Sequence, residues 1–237
     1  LFIYVTSVKF FYKVISIKNF IMHNTVKNLI YIEELIKSKA NHDKLAKIIA
    51  VSKTFPIEKI LPLIKHGHLH YGENKVQETL EKWTDIKKEN HNIQLHLIGR
   101  LQTNKVKLAL KIFDYIHSLD SEKLANKIAD EQQKYKKKPK IFIQVNVGNE
   151  NQKSGIDKRN LNDFYKFCKK LNLDIIGTMC IPPNDGNIEK YFSEMNDINK
   201  ELNFKELSMG MSGDYLEAIR YNATYIRVGS KIFGSRT

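Results

Sequence analysis

Lys53 closes a short apolar, β-branched run, Lys47-Ile48-Ile49-Ala50-Val51-Ser52-Lys53, and Thr54-Phe55-Pro56 follow it. A continuous apolar run bounded by turn signals reads as a buried strand, and period-two alternation puts Val51 and Lys53 on one face of it. An amine held at the end of such a strand, partly withdrawn from water, loses proton affinity and can attack an aldehyde to form an imine. Two later segments have the residue types to hold an anion. Ser212 falls where an apolar run meets a helical pattern, so its hydroxyl and the nearby backbone N–H groups can face a negative charge. Gly229-Ser230 adds a close backbone approach and a second hydroxyl. Arg227 alternates with Val228 and so points either into the fold interior or against helices. A lysine, an anion cradle and an inward arginine together describe one class of ligand, an aromatic aldehyde phosphate. His66, His68 and His70 have strand spacing, but no carboxylate or cysteine completes a ligand set nearby, so no metal centre is expected.

These groups lie far apart in the chain, and the elements between them must bring them together. Strand-like runs are expected at 47–53, 68–74, 93–99, 115–120, 140–147, 174–181, 207–211 and 224–230. Helical patterns separate them, and a further helix over 24–39 precedes the first strand. Pro56 opens the helix after Lys53, and Ser121 caps the one that follows the fourth strand. Eight such alternations without a linker or a solenoid repeat predict a single (β/α)8 TIM barrel with an extra N-terminal helix, in the α/β class. An open doubly wound sheet is the alternative, but neither GxGxxG nor GxxxxGK[ST] is present. In a barrel, Lys53 stands at the carboxyl end of strand one, and the last two strands supply a phosphate site at that same face.

Composition narrows the remaining classes. A hydrophobic fraction of 42% argues against a disordered chain. The 39 Lys+Arg against 26 Asp+Glu give a net charge of +13, which by itself permits nucleic-acid binding. Lysine dominates over arginine, however, and Asn and Ile are also frequent, so the excess reads as compositional bias on solvated helix faces. The run Lys136-Lys137-Lys138-Pro139-Lys140 reads as a solvated turn, and no specific nucleic-acid partner is expected. Cys168 and Cys180 lack ligand or disulfide spacing, which suits a reducing, cytoplasmic setting. Residues 1–21 carry Lys9, Lys13 and Lys18, which interrupt any signal-like or membrane-spanning stretch. They are expected to be an extension outside the fold, with the barrel occupying 22–237.

The motifs taken together resemble the pyridoxal-phosphate homeostasis proteins, a single-domain family similar to the barrel half of alanine racemase. The matching pieces are Ala50-Val51-Ser52-Lys53-Thr54, Tyr71-Gly72-Glu73-Asn74 with Gln77-Glu78, and His96-Leu97-Ile98-Gly99 with Leu101-Gln102 and Asn104-Lys105. They continue in Lys153-Ser154-Gly155, Gly177 with Met179, Leu207 to Ser212 with Asp214, and Arg227-Val228-Gly229 with Ile232-Phe233-Gly234. Thr178 stands where an apolar residue is common, Gly213 occupies a variable position, and residues 1–21 have no counterpart.

The resemblance implies that Lys53 holds pyridoxal 5′-phosphate (PLP) as a covalent imine. It implies that Ser212, Gly229 and Ser230 bind the phosphate, that Arg227 approaches the pyridine nitrogen, and that Asn74 and Ser208 contribute to the site wall. No catalytic residue is implied. The expected role is a PLP carrier or buffer, with transfer to PLP-dependent enzymes and no membrane partner. An arginine at the ring nitrogen leaves it unprotonated and a poor electron sink, and the racemases draw their second base from an added domain. The alternatives are a weak PLP-dependent racemase or lyase, a cofactor-free Schiff-base aldolase using Lys53, and a basic nucleic-acid-binding module.

Overall fold

The protein is described by a computed structural model over residues 22–39, 45–150 and 154–235. Eight strands close into an all-parallel barrel in sequence order: β1 Lys47–Val51, β2 His70–Glu73, β3 Gln94–Leu97, β4 Tyr115–Leu119, β5 Lys140–Val145, β6 Asp174–Cys180, β7 Glu206–Met211 and β8 Tyr225–Val228. β8 pairs with β1 through Ile49↔Arg227 and Ala50↔Val228, which seals the sheet. The long helices are α1 Asn24–Lys39, α2 Ile57–His66, α3 Val76–Glu89, α5 Glu122–Tyr135, α6 Leu161–Lys170 and α7 Ile188–Glu201. Shorter ones are α4 Val106–Ile112, α8 Tyr215–Arg220 and α9 Ser230–Phe233.

Local signals account for several boundaries. In α1, Val26, Leu29, Ile32 and Ile36 fall on one buried face, which docks the expected extra helix on the barrel. α2 follows Pro56 and stops at Gly67, whose φ of 94° lets its N–H turn back to the Ile64 and Leu63 carbonyls. Ser121 accepts from the Leu124 N–H at the start of α5, as its sequence position suggests.

Side chains divide between two cores. Ile49, Tyr115, Phe142, Met179 and Tyr225 pack inside the barrel. Trp83, Leu110, Ile116, Phe192 and many others fill the layer between sheet and helices. That division follows from alternation along strands that are buried on both faces.

Several ends differ from the sequence expectation. β1 stops at Val51, so Lys53 lies in the turn beyond it. β2 begins at His70 rather than His68. α8 begins at Tyr215 with Asp214 at its N-cap, so Ser212 belongs to the loop before the helix and is not its cap. The expected extension, 1–21, and Lys153 in the polar loop after β5 lie outside the described residues.

Candidate ligand-binding site

A cavity of about 730 Å³ opens at the carboxyl ends of the strands, the face on which barrels of this kind build their sites. Lys53, Asn74, Ser212, Arg227, Gly229 and Ser230 all line it, so residues 177 positions apart in sequence meet around one space. Val51 lines it as well, in keeping with its sharing a face with Lys53.

A charged network just outside the barrel fixes the two strand ends that carry Lys53 and Asn74. Glu73 is almost fully buried; its Oε1 accepts from Ser52 Oγ at 2.8 Å and from Trp83 Nε1 at 2.9 Å, and pairs with Lys82 Nζ at 2.8 Å. Lys82 also donates to the Ser52 carbonyl at 2.9 Å. A buried carboxylate is tolerated only when paired and hydrogen-bonded, and Glu73 meets both conditions. Because Ser52 precedes Lys53 and Glu73 precedes Asn74, the network holds both cavity residues through their chain neighbours. The turn beyond Lys53 is itself strained: Thr54 has φ 66°, an uncommon conformation for a β-branched residue. Asn74 is backed by Gly99, where a Cβ would fall 2.5 Å from the Asn74 carbonyl oxygen, so a larger residue there displaces it.

Arg227 forms the cavity floor. Its side chain points inward, which resolves the two orientations that alternation allowed. Nη1 donates to Ser208 Oγ and Nη2 to the Cys180 carbonyl, both at 2.8 Å. Burial draws its pKa down, with Cys180 and Asp214 acting the other way, and guanidinium stays charged regardless. The same burial pushes the Cys180 thiol up to about 12. A fork held at two corners keeps donors over for an acceptor above it. Ser208, expected on the wall, is instead fully buried behind the guanidinium.

The residues expected to form an anion cradle lie on two loops that are tied together. Ser212 Oγ accepts from the Gly229 N–H at 3.2 Å, which leaves the hydroxyl proton available to an anion. A Cβ at Gly229 would stand 3.3 Å from the Val51 carbonyl oxygen, so the smallest residue lets the loop close against β1. Ser230 follows at the first position of α9.

Sequence reasoning missed a set of histidines under this floor. His70, His96 and His117 stand on β2, β3 and β4, and His117 Nδ1 lies 3.0 Å from Ser208 Oγ. His96 and His117 are fully buried, and burial holds both well below the ordinary imidazole range. Their spacing carries no local signal, since each sits on a different strand. The available clue was that each is a polar residue inside an apolar strand run. Among the described residues, no group of three or more His, Cys, Asp or Glu could hold a metal ion. His68 turns its Nε2 to the His70 carbonyl at 2.9 Å. No helix of the described residues is long and apolar enough to cross a membrane.

The chain matches the model of the alanine racemase N-terminal domain over residues 32–237. It is 36% identical over 215 residues to the pyridoxal phosphate homeostasis protein of Aquifex aeolicus, covering 86% of this chain and 93% of that one. PipY of Synechococcus elongatus PCC7942, solved with PLP bound, superposes with a TM-score of 0.79 at 31% identity, over 89% of this chain and all of that one. An alanine racemase of Clostridium difficile shares the fold at 16% identity, with a TM-score of 0.69 over 90% of this chain and 57% of that one. The Lys53 turn, the Arg227 floor and the Ser212–Gly229 cradle therefore stand in a chain that belongs to the alanine racemase N-terminal domain family and, within it, to the pyridoxal phosphate homeostasis proteins.

Proposed function

We propose that this protein binds pyridoxal 5′-phosphate in the upper cavity, with Lys53 joined to its aldehyde, and holds and releases the cofactor rather than turning over a substrate. The observation that carries this reading is the meeting of an amine, a buried guanidinium and a two-loop hydroxyl cradle around one cavity. The donor set fits the group: an amine for an aldehyde, N–H donors for a ring nitrogen, and hydroxyl and backbone donors for a phosphate. The relatives' name and the PLP-bound PipY structure support it further.

When bound, the cofactor supplies an electron sink, and the protein decides how much of that sink is used. Arg227 can donate to a ring nitrogen but cannot readily give up a proton, so it keeps that nitrogen unprotonated and the sink shallow. Ser212 and Ser230 bind and orient the phosphate. Asn74 closes the wall beside Lys53, and the Glu73 network keeps the two in register. This balance favours storage over catalysis, with transfer to PLP-dependent enzymes as its outlet. A reducing cytoplasm suits the two buried free thiols.

The test is covalent mapping. Purified protein incubated with PLP should be yellow, bleach on borohydride, and carry the reduced cofactor on Lys53 by mass spectrometry. Lys53→Ala should lose the colour entirely yet keep weaker, non-covalent affinity through the cradle and Arg227. Attachment at Lys75, Lys105 or another lysine overturns the assignment of the site. Rapid product formation from amino acids would turn the storage reading into an enzymatic one.

A further inference from the structure

We propose that Ser208, His117, His96 and His70 form a hydrogen-bonded relay of single polarity that positions Arg227 beneath the cavity. None of the four takes part in the site as described above, apart from the contact of Ser208 with the guanidinium. His70 Nδ1 lies 2.9 Å from His96 Nε2, and His96 Nδ1 lies 2.9 Å from His117 Nε2. His117 Nδ1 lies 3.0 Å from Ser208 Oγ, which receives Arg227 Nη1 at 2.8 Å. The chain of contacts runs unbroken across the barrel interior.

Strand register explains the alignment. His70 pairs with Gln94, two residues before His96, and His96 pairs with Tyr115, two residues before His117. Each histidine therefore stands one inward-facing position further along than its neighbour, and the stagger of a closed barrel turns three strands into a staircase. Aromatic faces hold the ring planes: His96 stacks on Tyr115 at 4.1 Å and His117 on Phe142 at 4.2 Å. The lower step, His70, lines a second cavity of about 470 Å³ at the opposite end of the barrel, together with Lys37, Lys47 and His68.

Proton counting sets the direction. Three neutral imidazoles carry three ring protons, and the two His–His bonds take one each. The third proton resides either on His117 Nδ1, facing Ser208, or on His70 Nε2, at the far end. Arginine only donates, so Ser208 Oγ must accept from it. Were His117 Nδ1 protonated, Ser208 would accept twice, and its own buried O–H would have no acceptor among the described residues. The satisfied arrangement has Ser208 O–H donating to His117 Nδ1, and every ring then carries its proton on Nε2. Ser208 is thereby locked as an acceptor toward Arg227, and the guanidinium plane is held between it and the Cys180 carbonyl. Burial keeps His96 and His117 neutral, so the relay functions without placing a second charge beside Arg227.

The effect on the cofactor rests on the reading proposed above, but the relay stands on the ligand-free protein and is tested there first. Long-range ¹H–¹⁵N correlation spectra of the histidine-labelled, ligand-free chain should show His70, His96 and His117 as Nε2–H tautomers. An Nδ1–H tautomer at His117 overturns the polarity. For the positioning role, His117→Asn keeps an acceptor close to the Nδ1 position, whereas His117→Leu removes it. His117→Leu should shift and broaden the Arg227 Nε–H signal in the ligand-free protein and weaken PLP about fivefold, the scale of one hydrogen bond. His117→Asn should restore both. Equal behaviour of the two variants overturns the role, and should His117→Leu not fold, Ser208→Ala provides the same comparison against the wild-type Arg227 signal. If the wild-type chain shows the tautomers but takes no cofactor on Lys53, the functional reading fails and the relay survives.

Discussion

Two polar networks brace this barrel, one at its rim and one through its interior, and they solve the same problem by opposite means. At the rim, Glu73, Lys82, Ser52 and Trp83 use full charges, paired at 2.8 Å, to pin the strand ends that carry Lys53 and Asn74. In the interior, His70, His96, His117 and Ser208 use neutral groups alone to reach Arg227. The rim can afford charge because Lys82 keeps partial exposure, 15% of its side chain, and so is not wholly stripped of water. The interior holds one charge already, and a protonated imidazole next to it would be both desolvated and repelled. Charge gives strong anchoring where water is near, and tautomer order gives orientation where it is not.

Breaking the rim should have the largest effect on folding. Glu73→Ala leaves the Lys82 ammonium, the Ser52 hydroxyl and the Trp83 N–H without their shared acceptor, at a cost of about 3–5 kcal/mol. Urea denaturation measures it, and a loss under about 1 kcal/mol would show that water replaces the carboxylate. A paired change, Glu73→Gln with Lys82→Met, removes both charges together and should cost clearly less than the single alanine variant.

The interior should respond more gently. His117→Leu orphans the Ser208 hydroxyl and one His96 nitrogen, a loss of about 1–3 kcal/mol in the same denaturation assay.

Acid separates the networks next. Burial, helped by His68 and then by Lys47 and Lys140, lowers His70 to about 4, and burial also lowers His68 to about 4. An unfolded imidazole titrates near 6.5, so the unfolded chain takes up protons before the native one does. The histidine contribution is complete above about 6.5 and is lost as pH falls through about 4, with His96 and His117 extending the loss further down. Thermal melts from pH 7 to pH 4.5 should show a falling midpoint, and His70→Gln should flatten the slope. An unchanged slope in that variant would place the acid sensitivity elsewhere.

The smallest change is expected at the turn itself. Thr54→Gly relieves the left-handed backbone at φ 66° but adds unfolded-state entropy, so the net shift should stay below about 1 kcal/mol. A larger loss would mean that the Thr54 side chain, not the backbone, holds Lys53 in place.

Much of this molecule was legible before folding was considered. Alternation along eight apolar runs set the barrel and its interior face, because period two is a property of the strand itself. Pro56 and Ser121 marked helix starts by local backbone chemistry. The cavity residues Lys53, Ser212, Arg227, Gly229 and Ser230 could be named from patterns at strand ends, because barrels place those ends together, and Asn74 came from the family resemblance. Other features needed the closed sheet. Whether Arg227 faced inward or outward depended on how β8 met β1, and Ser208 moved from wall to support once Arg227 lay over it. The Asp214 N-cap displaced Ser212 from the helix start, a matter of a few residues that propensity does not distinguish. His70, His96 and His117 became a set only through the stagger between neighbouring strands, which is fixed by barrel closure. Spacing along the chain specifies which face a side chain takes; its partners across the barrel are specified by register, and register belongs to the assembled sheet.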